Sequence, residues 1–307
     1  MKFNLKKYRA DLSQNSYKDV KDRRAKAVSW AFLTPSLLGV LVFFLAPFLI
    51  VGFYSVIMNP PTDYSFVGLK NFISVFKNAA FRTAAKNTLT FSLLAVPLAV
   101  VIPLYLAMVL DLKIPFKSQF RTAFLTPLMV PVASVVLVWQ VVFHYNGLAN
   151  EILEALKLSP VDWFNTGYAQ LVIIILFLWK NIGYNMILFM AGLGSVPKDV
   201  LEVAYLENAN GWQIFWNIKI RYLSPTILFV TIMSLINSFK VFREIFLLKG
   251  VHPTTYMYML QTYMNNKFDT LDFHILSAAA IIMSIVMIAI IAVLFVFEDK
   301  LGKDVEE

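Results

Sequence analysis

The chain has 307 residues, 59% of them hydrophobic and only 15% charged. That balance excludes an ordinary soluble domain, whose core has no room to hide repeated apolar runs of about 20 residues or more. The formal charge of +8 comes from Lys and Arg placed mostly beside those runs, not on an aromatic-interleaved face, so nucleic acid is excluded as a partner; with no cysteine, thiol catalysis, thiolate metal sites and disulfides are excluded too.

In chain order, residues 1–27 are polar and basic (Lys6, Lys7, Arg9, Lys18, Lys21, Arg23, Arg24, Lys26) and read as a solvated cytoplasmic tail. The apolar run that follows is long for a signal peptide and lacks a small-residue cleavage site. A first span is expected over about Val28–Ile57, kinked at Pro35 and Pro47. Asn59 to about Lys86, rich in turn formers such as Pro60, Asp63 and Gly68, reads as a loop outside the membrane. Further spans are expected at about Asn87–Leu110, Thr122–His144, Tyr168–Leu193, Tyr222–Leu248 and Ile275–Phe297, with 298–307 as a second cytoplasmic tail. The membrane domain is thus 28–297.

Six spans put both termini on one side. On that assumption the inner segments carry 17 Lys and Arg and the outer loops 7, so the positive-inside rule places both termini, and Ser195–Arg221, in the cytoplasm. That segment is a polar island between two apolar runs. Ser195 is expected to cap a helix with Pro197 in its first turn and Asp199 where the dipole favours an acid. Val200, Val203, Ala204 and Glu207 follow at spacings of three and four, with acids opposite an apolar side. Asn208, Asn210 and Gly211 break this helix, since Asn-Gly supplies left-handed backbone geometry. A second short helix resumes at Trp212, with Ile214, Phe215, Ile218 and Tyr222 on one face.

Glu202-Val203-Ala204, Asn208 and Ile218-Lys219-Ile220-Arg221 resemble the EAA motif of ABC-importer membrane subunits, Glu-Ala-Ala, three residues, Gly, nine residues, Ile-x-Leu-Pro. Val203, Asn208 and Arg221 depart from it at the second Ala, the Gly and the Pro. With FLTPSLLGVLVFFLAPFLI, FVGLKNF (Phe66–Phe72), NTLTFSLLAVPLAV and ILFMAGLGSVPKDVLEVA, most of the chain resembles the maltose-type carbohydrate-uptake permeases, the subunit of the pair with the longer N-terminus. The resemblance implies an all-α polytopic fold of six transmembrane helices, the type I ABC importer permease fold. It also implies a heterodimer with a second homologous permease, two ABC ATPase subunits, an extracytoplasmic solute-binding protein on the outer loops and a bacterial cell-membrane location. Glu202, Val203, Ala204, Glu207, Asn208, Ala209, Asn210 and Gly211 would then be the coupling element that docks on the ATPase.

The chain itself has no phosphate-cradling G-x-x-x-x-G-K-[ST] loop, no H-E-x-x-H, no G-x-S-x-G and no carboxylate pair inside a span, so it reads as no enzyme and needs no cofactor or metal. His144, His252 and His274 all map to the outer surface as solvated loop residues. The informative chemistry lies inside the spans. Lys180, Asn181 and Asn185 interrupt the fourth, and Asn237, Ser238, Lys240, Arg243 and Glu244 occupy the outer half of the fifth. A charge in lipid costs about 3 kcal/mol or more, so these residues face protein or a wet cavity. Two readings stand side by side. In one they pair structurally, Lys180 or Arg243 with Glu244. In the other they line a cavity for a hydroxyl-rich solute, with Trp179, Tyr184, Phe239 and Phe242 as aromatic faces and Ser234, Asn237, Ser238, Val241 and Ile245 as one helical stripe. The resemblance implies solute contacts at Ile182, Gly183, Met186, Ser234, Ser238, Val241 and Arg243, beside Lys180, Tyr184, Asn185 and Asn237. The solute expected is a carbohydrate, an oligosaccharide first; glycerol phosphate, a polyol or an anionic sugar are the alternatives, and an ion-coupled secondary transporter is the rival class, against which the lack of an inverted repeat speaks.

Overall fold

The computed structural model describes residues 25–306 apart from 27, 59, 61, 62 and 113, with side chains to 299; the amino-terminal tail 1–24 lies outside the described residues. Among the described residues it is helical, with one isolated bridge, Ile57 to Phe66. The first span, α1 (Val28–Tyr54), opens into a π turn at Leu41–Leu45 where Ala46 N–H reaches back to Leu41 O. The turn lies just before Pro47, which brings no N–H of its own to the ladder. None of this span's core window is buried, so its apolar sides are solvated by something other than this chain.

Residues 59–86 are not only a loop. They contain a helix, α2 (Lys70–Lys77), and the second span, α3 (Ala79–Asp111), begins eight residues before the expected Asn87. The cause is local: Asn78 accepts from Ala80 N and Phe81 N and so caps the helix early. Asn71, buried, pins the loop by donating to Ser55 O and Ile57 O.

The third span departs most from expectation. It is two helices, α4 (Lys117–Met129) and α5 (Val132–Val142), bent by 98°. Pro131 has no N–H and forces Val130 into extended geometry (ψ 130), which ends α4 where hydropathy alone continues. A short helix, α6 (Leu148–Ala155), leads to the fourth span, α7 (Ala169–Gly194). The polar island follows as α8 (Lys198–Leu206) and a helical run α9 (211–222). The fifth span is interrupted, α10 (Ser224–Phe239) giving way to α11 (Phe242–Lys249). A helix α12 (Leu260–Asp269) precedes the last span, α13 (Phe273–Glu306), which continues past the expected end at Phe297 through residues 298–306.

The centre of the bundle is α3 packed along α7, with α10 against both. Two apolar clusters lie at opposite ends of this trio. Phe91, Ala95, Val136, Ile173, Phe177 and Ile245 make up part of one; Ala107, Met186, Phe189, Leu223 and Val230 belong to the other. A polar seam runs between them. Ser92 and Ser238 share a hydrogen bond of 2.8 Å, and Asn185 Nδ2 donates to Ala99 O at 2.8 Å and to Ser234 Oγ at 3.1 Å. Pro103 explains the seam, because it leaves Ala99 O without the N–H that the helix would return four residues on. At Gly183 an added Cβ would lie 1.9 Å from Phe124 O, so only glycine lets α7 meet α4 this closely.

Outside the spans, α12 seats Tyr263 against Phe81 in a third cluster with Val75 and Ala278, and burial pushes its phenol up to about 12. Lys267 Nζ donates to Asp272 at 2.6 Å, and this bond, more than any other cause, holds the carboxyl below its ordinary range. Asp272 is therefore paired. His274 departs from the expected solvated loop residue: it is half-buried at the start of α13, with Nδ1 sealed from solvent.

Candidate functional site

Where the broken third and fifth spans meet the continuous fourth, the chain holds a cleft of about 410 Å³. Its polar wall comes from α7 (Lys180, Asn181, Tyr184) and from the break in the fifth span (Asn237, Lys240, Glu244). Leu128, at the end of α4, and Phe177 supply its apolar parts. Lys180 Nζ donates to Glu244 Oε1 at 2.8 Å, and Asn237 Nδ2 donates to Asn181 Oδ1 at 3.2 Å. The two readings of these residues thus coincide: the charges pair and also border a cavity. Arg243, on the next turn, is exposed and does not pair with Glu244.

The helical stripe on the fifth span divides. Asn237 lines the cleft, while Ser234 and Ser238 are buried against α7 and α3, and Val241 and Ile245 are buried in the first apolar cluster. Those four residues carry helix contacts, not a cavity wall, because the seam needs the two serine hydroxyls and the cluster the Val241 and Ile245 side chains. Asn185 and Met186 are likewise buried, and Gly183 is occupied by the α4 backbone. Ile182 is half-buried and outside the cleft lining. Of the aromatic faces, Tyr184 is in the cleft, Trp179 stacks on Trp139 (5.4 Å), Phe242 lies on Phe246, and Phe239 borders a separate apolar groove of about 530 Å³ between spans two, five and six. Hydropathy gives no signal for Leu128 or Phe177; Pro127 in the last turn of α4 and Pro131, which ends it, are the nearest sequence clue.

At the other end, the island is a helix, a tight reversal and a second helix. Ser195 does not cap α8: its Oγ donates to Gly192 O, and Pro197 takes the N-cap position. Nor does Gly211 carry the left-handed turn. Asn208 does, at φ 58°, with Asn208 N–H to Tyr205 O (3.1 Å) and Ala209 N–H to Ala204 O (3.0 Å). This is a Schellman closure, where Gly is the best residue and Asn the next, so Asn208 serves where the EAA pattern has Gly. Asn210 is extended and exchanges side chain–backbone bonds of 2.9 Å with Gln213, a capping box that starts α9 at Gly211. Ala204 is buried, while Glu202, Val203 and Glu207 are exposed, as is Leu206 at 83%. Trp212, Phe215 and Trp216 pack on one another, and with Tyr105 and Met108 of α3 two of them line a second cleft.

Residues 99–307 match the family of binding-protein-dependent transport system inner membrane components. The chain belongs to this family. As a transport permease it is a multi-pass membrane subunit with a non-enzymatic role. The permease is 31% identical to the arabinooligosaccharides transport system permease protein AraP of Bacillus subtilis, over 73% of this chain and 72% of that one. It is 27% identical to the trehalose/maltose transport system permease protein MalF of Thermococcus litoralis, over 91% and 95%. Against the sn-glycerol-3-phosphate permease protein UgpA of Rhizobium meliloti the identity is 29%, over 90% and 96%. Its fold is that of ABC importer permeases: a bacterial ABC transporter involved in the import of the acidic polysaccharide alginate superposes with a TM-score of 0.77 at 23% identity, covering 92% of this permease and 99% of that chain.

Proposed function

We propose that the permease forms, with a second homologous permease, the path by which an ATP-driven importer moves a carbohydrate, an oligosaccharide first among the candidates. The polar cleft carries this reading. It joins fixed donors and acceptors to an aromatic ring at a place where two spans lose helical continuity beside a third, which is the wall a hydroxyl-rich solute needs inside lipid. Relatives named for arabinooligosaccharides and for trehalose and maltose support the same solute class. Lys180, Tyr184 and Asn237 are its solute-facing residues, joined by Asn181 and Lys240.

Both termini and the island face the cytoplasm in this reading, a placement the Lys and Arg count supports. Two ATPase subunits hydrolyse ATP there, and a solute-binding protein delivers from outside. Glu202, Val203, Leu206 and Glu207, exposed on α8 and its turn, dock on the ATPase; Asn208 to Gly211 set the angle at which they do so. The test is Glu202→Lys in the complete importer in proteoliposomes. Insertion and assembly are expected to persist and solute-stimulated ATP hydrolysis to be lost. Normal stimulation in this variant would refute the coupling role.

A further inference from the structure

The Lys180–Glu244 pair is asymmetric. The Lys180 side chain is 37% exposed and that of Glu244 11%, so of the two groups bordering the cleft the ammonium is the more open to it and the carboxylate the more enclosed. The carboxylate is backed by a small void bordered by Pro127, Val130 and Val132, apolar side chains that give little screening. An ammonium has three N–H donors. One goes to Glu244, and among the described residues no other acceptor is recorded for Lys180. Asn181 uses its amide on Phe177 O and its oxygen on Asn237, which leaves Asn237 Oδ1 as an acceptor toward the cleft. Lys240 also borders the cleft, and both it and Arg243 are exposed on this chain, so they are a background charge that the Lys180–Glu244 pair leaves unchanged.

We infer that Glu244 is a positioning residue that tunes solute selectivity: it fixes Lys180 on the cleft wall and cancels its charge, so Lys180 serves as a hydrogen-bond donor that adds no net charge, and the cleft's preference is thereby shifted toward neutral polyhydroxyl solutes and away from those bearing a carboxylate. The inference deepens the cleft reading above and rests on it. Glu244 touches no solute; it acts through Lys180.

The test uses the assembled importer and two matched oligosaccharides that the binding protein carries equally, one neutral and one oxidised at one end to a carboxylate. The readout is the ratio of ATPase stimulation by the two. Glu244→Gln leaves Lys180 uncompensated and is expected to move the ratio toward the oxidised sugar by about tenfold, the change that about 1.4 kcal/mol of differential binding gives. Lys180→Met leaves the acid uncompensated and moves the ratio the other way, so the inference stays testable if one variant does not assemble. The double variant Lys180→Met with Glu244→Gln returns toward the parent ratio. A merely structural pair predicts equal losses for both sugars in every variant, and an unchanged ratio overturns the inference. Asn237→Leu separates the two levels of the argument. If it lowers stimulation by both sugars while the Glu244 variant leaves the ratio unchanged, only the selectivity inference falls; if it leaves stimulation by both intact, the cleft reading beneath it falls as well.

Discussion

Replacing Asn185 by Leu tests the claim that a proline in one span dictates a side chain in another. Asn185 is 2% exposed and makes two bonds across the bundle, to Ala99 O (2.8 Å) and Ser234 Oγ (3.1 Å). Side-chain bonds between membrane helices are worth about 0.6 kcal/mol each. Losing both removes about 1.2 kcal/mol, and stranding a buried carbonyl adds about 1 kcal/mol at the low end of its usual cost. The sum, about 2 kcal/mol, is expected as a lowered unfolding free energy of the permease in mixed micelles. Pro103→Ala restores an N–H for Ala99 O, so in that background only the Ser234 bond remains to be lost, about 0.6 kcal/mol. The cycle should therefore show a coupling near 1.5 kcal/mol between two residues 82 positions apart in the chain. Equal costs of Asn185→Leu in both backgrounds, within about 0.4 kcal/mol, would refute the reasoning.

Gly183→Ala drives a Cβ into the Phe124 carbonyl and is expected to lower thermal stability by about 1–3 kcal/mol, checked by the unfolding midpoint in detergent. In the island, Asn208→Gly should be tolerated and Asn208→Val should weaken the turn by about 1–2 kcal/mol, because φ is positive there; Gly211→Ala meets nothing within 4 Å and should slightly favour α9, the three being compared by hydrogen exchange. Asp272 has a depressed folded pKa, so its contribution to holding α12 on α13 is present above its ordinary value of 3.8 and is lost as pH falls through the lower folded value. Hydrogen exchange in α12 should accelerate over that window, and Asp272→Asn should abolish the dependence.

The EAA departure shows how far residue types alone carry. Asn-Gly at 210–211 promises a left-handed turn, and the chain makes one, but two residues earlier, because the backbone bonds of Asn208 and Ala209 close α8 first and Asn210 is then needed as a cap. The stripe on the fifth span misleads for a related reason. Small hydroxyl residues in a span suit a wet wall and a close helix contact equally, and only the partner across from them distinguishes the two. Pro131 was legible as a helix breaker in principle, yet an apolar run across it hid a 98° turn.

Hydropathy, charge placement and spacing determined that this chain crosses the membrane repeatedly and carries a polar, reversing island between its fourth and fifth spans. These are properties of residues and their near neighbours, set by the cost of taking polar groups into lipid and by helical periodicity. Tertiary structure alone decided which polar residues meet a cavity and which lock helices together. That choice depends on contacts between spans far apart in the chain, such as Asn185 with the carbonyl freed by Pro103, and no local pattern encodes them.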